Sequence, residues 1–288
     1  MNMYTNIQVI LVPYDSGNRS LRMGRGPEHL IENGLPQALQ AGGHEVSVET
    51  LEAPSEFRAE VQTQFALYQA LAVKVDSAKQ KGQFPLVLSG NCGATVGVIA
   101  GARTKRLGVI WFDAHGEFNT PETTTTGFLD GMGLAIATGQ CWKKLALSIP
   151  GFRPLPGANI LHIGGRDFDS GEREMLEQAG ATVLDAASIP QRGMRTALDS
   201  VMPQFLRNVD EAHVHIDLDA LNPKETPANG WMTEGGLSVE DISEAIMHVK
   251  ENLKVTSATM ASFDPHYDTY GKTLQASLKL IRQILPPA

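Results

Sequence analysis

Cysteine is scarce in this chain: Cys92 and Cys141 are the only two among 288 residues. Two thiols cannot staple a disulfide-rich secreted domain, and they fit a reducing, cytoplasmic compartment. Basic runs are missing too. Lys and Arg number 24 against 32 Asp and Glu, the formal charge is −8, and the densest basic spots are pairs such as Lys105-Arg106 and Lys143-Lys144. A nucleic-acid groove needs a basic patch, so nucleic acid is excluded as an expected partner. No apolar run approaches the roughly 18 residues of a membrane span. The opening "MNMYTNIQVILVPYDSG" has no basic segment ahead of its short apolar run, so neither a membrane span nor a secretory signal is expected. Internal repeats, low-complexity tracts and Ser/Gly-rich linkers are also absent. What is present is ordinary globular composition, 42% hydrophobic and 19% charged, with enough chain to bury a large core in one domain spanning residues 1–288.

Short apolar runs alternate with longer amphipathic ones. Strands are expected at Ile7–Pro13, Pro85–Ser89, Gly108–Phe112, Ile160–Ile163, His213–Leu218 and Thr256–Phe263. Over residues 56–81, Val61, Phe65, Tyr68, Leu71 and Val75 recur at three- and four-residue steps, one face of a helix. "GRGPEHLIENGL" puts Pro27 early in a helix and Gly34 near its end. "SVEDISEAIMHV" opens with Ser238 and has Asp241 three positions on, a capping box with Asp in the Glu role. The Thr-rich stretch 119–127 has no helical period and reads as a loop. Alternation of this kind predicts an α/β fold: a three-layer α/β/α domain with a mainly parallel central sheet.

Ligand sites of such sheets lie beyond the carboxyl ends of the strands, and three of these strands end unusually. One ends in "SGNCGA", one in "DAHGE" and one in "HIDLDALNP". Strand alternation would put Asp217 and Asp219 on one side, and Asp113, His115 and Glu117 on one side if extended geometry persists. Each element has an ordinary explanation: Asp-x-His as a surface pair, Asp-x-Asp as a turn, Cys92 as a small core residue. Taken together, however, four carboxylates and a histidine at one sheet end repel unless a cation joins them. His213 and His215 share the strand phase of Asp217 and sit further from its carboxyl end, where a supporting role is open to them.

At these residues the sequence resembles the ureohydrolase family, the group of arginases, agmatinases and formimidoylglutamases. "GRGPEHLIENGL" is similar to the family's N-terminal Gly-Pro helix. "FPLVLSGNCGATVG" resembles its Gly-Gly-Asp-His-Ser segment, and "GVIWFDAHGEFNTP" its Asp-Ala-His-x-Asp segment. "IGGRDFDSGE", "VHIDLDALNP" and "SFDPHYD" resemble the three motifs that follow, in the same order. The resemblance implies a binuclear manganese site whose bridging hydroxide attacks an amidine or guanidinium carbon, and a homo-oligomer. Carried over by motif, Asp113 and Asp217 bridge both ions, while His115 and Asp219 complete one site. Cys92 and Glu117 stand where the family has a histidine and an aspartate for the other. Thiolate is soft and manganese prefers oxygen and imidazole, so zinc, ferrous iron or cobalt is an alternative, with one or two ions per chain.

The chain departs from the family in its chemistry as well. Ser262 stands where a glutamate holds the substrate guanidinium, Asp130 where a histidine shuttles protons, and Phe128 where arginases have an asparagine near the substrate carboxylate. Asn119, Thr126, Asp169 and Glu172 match residues around the amino-acid end of an arginase substrate. Glu117 is expected to orient the nucleophile through its free oxygen. Asp130 can supply a proton only if burial raises its pKa. The resulting expectation is a metal-dependent hydrolase of non-peptide C–N bonds in a linear amidine, guanidino or amine-type molecule, and not a standard arginase. Two other readings stay open. One is a single-metal deacetylase-like amide hydrolase using Asp113, His115 and Asp217. The other is a non-catalytic relative that binds a small molecule.

Overall fold

Eight strands rich in aliphatic and β-branched residues form one parallel sheet in the computed structural model, which describes residues 6–54, 59–102 and 104–288. They are β1 (Asn6–Val12), β2 (Glu45–Thr50), β3 (Phe84–Ser89), β4 (Leu107–Phe112), β5 (Ile160–Gly165), β6 (Thr182–Asp185), β7 (Glu211–Asp217) and β8 (Lys254–Ala261). Their order across the sheet is β2-β1-β3-β8-β7-β4-β5-β6, every pair parallel.

The two-residue alternation of each strand feeds two helical layers. On one face Ile7, Val9, Leu86, Ile110 and Val214 pack with Leu35, Leu198, Ile246 and Ile281 from helices Leu35–Ala41, Met194–Phe205, Val239–Asn252 and Lys272–Ile284. On the other, Ile10, Val87, Val109 and Trp111 meet Phe65, Leu71 and Val75 of helix Glu60–Gln80 and Val96 and Val98 of helix Thr95–Ala102. The expected three-layer α/β/α architecture is what forms. The helix expected from residue 56 runs Glu60–Gln80, and residues 55–58 lie outside the described ones. Pro27 is the second residue of helix Gly26–Glu32. Ser238 and Asp241 make the reciprocal capping box at the start of Val239–Asn252. Residues 119–127 carry no helix or strand. Among the described residues no helix is long and apolar enough to cross a membrane.

Strands β2 and β6 are absent from the sequence-based expectation. Both are sheet edges, and their residues are largely part-exposed, so neither carries a continuous apolar run. The position of the site follows from the strand order. The four strands in the middle, β3, β8, β7 and β4, are neighbours, and their registers bring Ser89 opposite Ala261, Ala261 opposite Asp217 and Phe112 opposite Ile216. Their carboxyl ends therefore open at one level.

Candidate metal centre

The chain leaves each central strand differently, and those exits place the donors. After β4, Asp113 is fully buried; its Oδ2 accepts from Trp111 Nε1 at 2.8 Å and its Oδ1 from the His115 amide at 2.8 Å. After β7 a single helical turn, Leu218–Ala220, brings the Asp219 amide to donate to Asp217 Oδ1 at 2.7 Å. This corrects the alternation argument: Asp217 and Asp219 converge through a turn, not along an extended strand. Extended geometry is lost after Asp113 as well. His115 bridges to Asp167 and Glu117 takes φ +55, a left-handed conformation uncommon outside glycine and asparagine. Ser262, after β8, also sits at φ +66.

His115 Nδ1 lies 3.3 Å from Asp219 Oδ2 and 3.5 Å from Asp113 Oδ1. Asp113, His115 and Asp219 form one group of potential ligand atoms within 4.8 Å of one another; Cys92, Asp113 and His215 form a second. Asp217 Oδ2 accepts from the Cys92 thiol at 2.8 Å and from Ser262 Oγ at 2.6 Å. Glu117 is buried, and its Oε2 has no hydrogen-bond partner.

The electrostatics are those of too many buried carboxylates for the cations present. Burial, then the charge of Asp219, push Asp113 up to about 6. Burial and neighbouring carboxylates raise Asp217 and Glu117 well above the ordinary range. Burial acts to lower His115, but Asp219 and Asp113 outweigh it and hold the imidazolium. That same imidazolium outweighs burial at Asp219 and lowers it. The residues fit a divalent cation on both counts that matter: converging oxygen and nitrogen donors, and an unpartnered carboxylate oxygen inside excess negative charge.

Above these groups opens a pocket of about 230 Å³. Its wall carries His115, Glu117, Asp217, Asp219, Ser262 and Asp130, and, further out, Asn119, Thr126, Asp169 and Glu172. Of the sequence-predicted residues, Cys92 and Asp113 are fully buried behind it. Asp130 is pinned: Oδ1 accepts from the Gly93 amide at 2.8 Å, Oδ2 from Asn91 Nδ2 at 2.8 Å and from the Cys92 amide at 3.2 Å. Burial, opposed by those bonds, raises it to about 7. The Glu172 carboxylate accepts from the Phe118 and Asp169 amides, fastening the 117–119 segment to the loop after β5. Asn119 Nδ2 donates to Asp169 Oδ2, and Thr126 Oγ1 accepts from the Phe128 amide.

Sequence reasoning missed several site residues. Trp111, which holds Asp113, was accessible from strand phase, being two residues upstream. Trp231 gave no signal, since it lies in the irregular segment after β7; its ring stacks on Phe128 at 5.5 Å in the pocket wall. Asp167, also in the wall, lay unremarked inside "GGRDFD".

The sequence model of the Arginase family matches residues 5–286. A curated arginase from Bacillus subtilis (strain 168) is 30% identical over 294 residues, covering 98% of each chain. A crystal structure of arginase from the same species superposes with a TM-score of 0.89 at 29% identity, covering 97% of this chain and 98% of that one. At 18% identity the formimidoylglutamase structure from that species, TM-score 0.75, shares the fold.

Proposed function

The chain belongs to the arginase family, a family of hydrolases, and on that premise we propose that it hydrolyses a non-peptide C–N bond of a linear guanidino or amidino compound other than arginine. The observation that carries this reading is the convergence of Asp113, Asp217, Asp219 and His115 at the floor of a pocket, beside the unpartnered Glu117 oxygen. Asp113, His115, Asp217 and Asp219 would hold one divalent ion, with manganese suited to their oxygen and imidazole donors. When bound there, a divalent ion would lower the pKa of water towards neutrality and polarise the attacked group.

The chain's own residues set the rest. Glu117, in the pocket wall with its Oε2 unpartnered, would accept a hydrogen bond from an attacking water and orient it. Asp130, at about 7, is partly protonated near neutral pH and lines the pocket, so it would supply the proton that a leaving nitrogen needs. Its three anchoring donors fix its position. Ser262 offers a hydroxyl in place of a carboxylate, so a guanidinium there lacks an ionic partner. A charge-assisted hydrogen bond contributes about 1.5–3 kcal/mol, roughly ten- to a hundredfold in binding. Phe128, stacked on Trp231, presents a ring at the pocket mouth and no donor to a substrate carboxylate. Both changes disfavour arginine. By analogy with the family we also assign a cytoplasmic homo-oligomer.

The single-metal reading has one observation in its favour: Cys92 and Ser262 both donate to Asp217 Oδ2, so that oxygen already has two partners. Urea and ammonia release from a guanidino and amidino panel, with manganese saturating and bound metal counted, tests the proposal. The expected result is turnover of a compound other than arginine. No turnover by metal-loaded protein would favour the non-catalytic reading. Rapid arginine hydrolysis would overturn the claim on specificity.

A further inference from the structure

His213 and His215 point from β7 into the same interior, yet only His215 reaches the metal centre. His213 is spent on Ser257 and Thr259. His215 is fixed by two contacts. Its ring stacks on Trp111 at 3.7 Å between centroids, and its Nδ1 lies 2.8 Å from Thr95 Oγ1. In the tautomer that donates Nδ1–H to that hydroxyl, Nε2 has a lone pair to offer an ion, and Nε2 faces Cys92 Sγ at 3.2 Å. A second group orienting an imidazole in this way is the usual support of a metal-bound histidine.

We propose that Cys92 Sγ, His215 Nε2 and an Asp113 carboxylate oxygen form a thiolate–imidazole–carboxylate site that takes zinc, cobalt or ferrous iron in preference to manganese. The three side chains come from the loop after β3, from β7 and from the end of β4, and their ligand atoms lie within 4.8 Å of one another. Tetrahedral zinc with Zn–S near 2.3 Å and Zn–N near 2.05 Å separates sulfur from nitrogen by roughly 3.6 Å. The present 3.2 Å needs only a few tenths of an ångström of opening. Binding releases the thiol proton to solvent and frees Asp217 Oδ2 from it. The centre then has two unlike halves: hard donors around His115 and a softer set around Cys92. The inference rests on the metal-centre part of the preceding reading, not on its substrate.

Metal titration of the chelator-stripped full chain tests it. Cobalt should bind at two ions per chain, one giving the intense near-ultraviolet band of thiolate-to-cobalt charge transfer. Manganese should fill one site only. Cys92→Ser should abolish the band and lower the cobalt stoichiometry to one. His215→Gln should weaken the band-bearing site tenfold or more and leave the other unchanged. Thr95→Val, which touches no ion, should weaken it about 10- to 100-fold by freeing the ring. Should His215→Gln fail to fold, X-ray absorption of zinc-loaded wild type decides: a sulfur near 2.3 Å supports the site, and an oxygen/nitrogen shell alone overturns it. A single cobalt per chain without the band overturns it too, as does a band indifferent to both His215→Gln and Thr95→Val. Absence of hydrolysis with the band intact would count against the hydrolase reading alone.

Discussion

Ser262 and Cys92 meet on one oxygen. Both donate to Asp217 Oδ2, and their own heteroatoms are 3.4 Å apart. A change at either therefore alters the charge that Asp217 feels. Ser262→Glu brings a carboxylate against Asp217 in a buried space, so it should destabilise metal-free protein and be tolerated only with divalent ion present. With manganese saturating it should raise urea release from a guanidino compound, and more so together with Asp130→His. The two changes should be non-additive, since capturing the cation and protonating the leaving amine serve one reaction. Initial rates for wild type, both single variants and the double variant check this; strictly multiplicative effects would contradict it. Cys92→His is less simple than donor chemistry suggests. Its imidazole must occupy space where His215 Nε2 already lies 3.2 Å from the sulfur. Overpacking of this kind costs about 1–3 kcal/mol. The single variant should lose stability, and Cys92→His with His215→Ala should regain it and bind manganese more tightly at the second site. Thermal melts and manganese titrations would decide; a single variant as stable as wild type would argue against the crowding.

At the scale of elements, the strand exits matter more than the strands. Gly90 ends β3 where the chain folds against the segment 14–24: a Cβ there would stand 2.3 Å from the Tyr14 carbonyl oxygen and 2.8 Å from the Gly24 backbone. None of these atoms is the end of a flexible side chain. Gly90→Ala should lower stability by about 1–3 kcal/mol or more and displace Cys92, so that any cobalt–thiolate band disappears with it. A full cobalt complement and wild-type melting in this variant would show that the exit is more pliable than its packing implies. The exits also explain what could be read beforehand. The six interior strands were legible because burial on both faces writes a continuous apolar run. Edge strands β2 and β6 have exposed faces and wrote none. The identities of Asp113, His115, Asp217 and Asp219 were legible as chemistry, because carboxylates and a histidine ending buried strands need a reason. Their geometry was not. It depends on a turn at 218–220 and a left-handed Glu117, which alternation cannot foresee. Nor did the sequence separate His213 from His215, since which of the two reaches Cys92 is set by where β7 stands against β3.

Over the whole molecule, the buried acidic centre links metal, protons and folding. Asp113 is raised to about 6 from an ordinary 3.8; burial, Asp219 and Asp113 raise Asp217 well above the ordinary range, and burial, Asp113 and Asp130 do the same to Glu117. A raised carboxylate contributes stability that is fully present below its unfolded pKa and is lost as pH climbs through the folded one. Without metal, these groups therefore weaken the fold as pH rises from about 4 through 6 and beyond. His115, also raised, acts in the same direction above its unfolded 6.5. The buried neutral histidines oppose them: His162, lowered to about 4, and His213, lowered to about 3, stabilise the fold as pH rises towards 6.5. The net profile of metal-free protein is thus a contest, but the increment produced by metal is not. Ligands must lose protons to bind, so a fixed manganese concentration stabilises more as pH rises, by the mass-action term RT ln(1 + [L]/Kd). His162 and His213 are in neither ligand group and cancel in the comparison. The expected result is a metal-induced rise in melting temperature that is small at pH 5 and grows through pH 7 and 8. In Asp113→Asn, which removes the most central ligand, the rise should be largely lost at every pH. An increment independent of pH in the wild type would mean that the carboxylates and His115 are already free of their protons at pH 5, and would break the link between the buried charge and the metal.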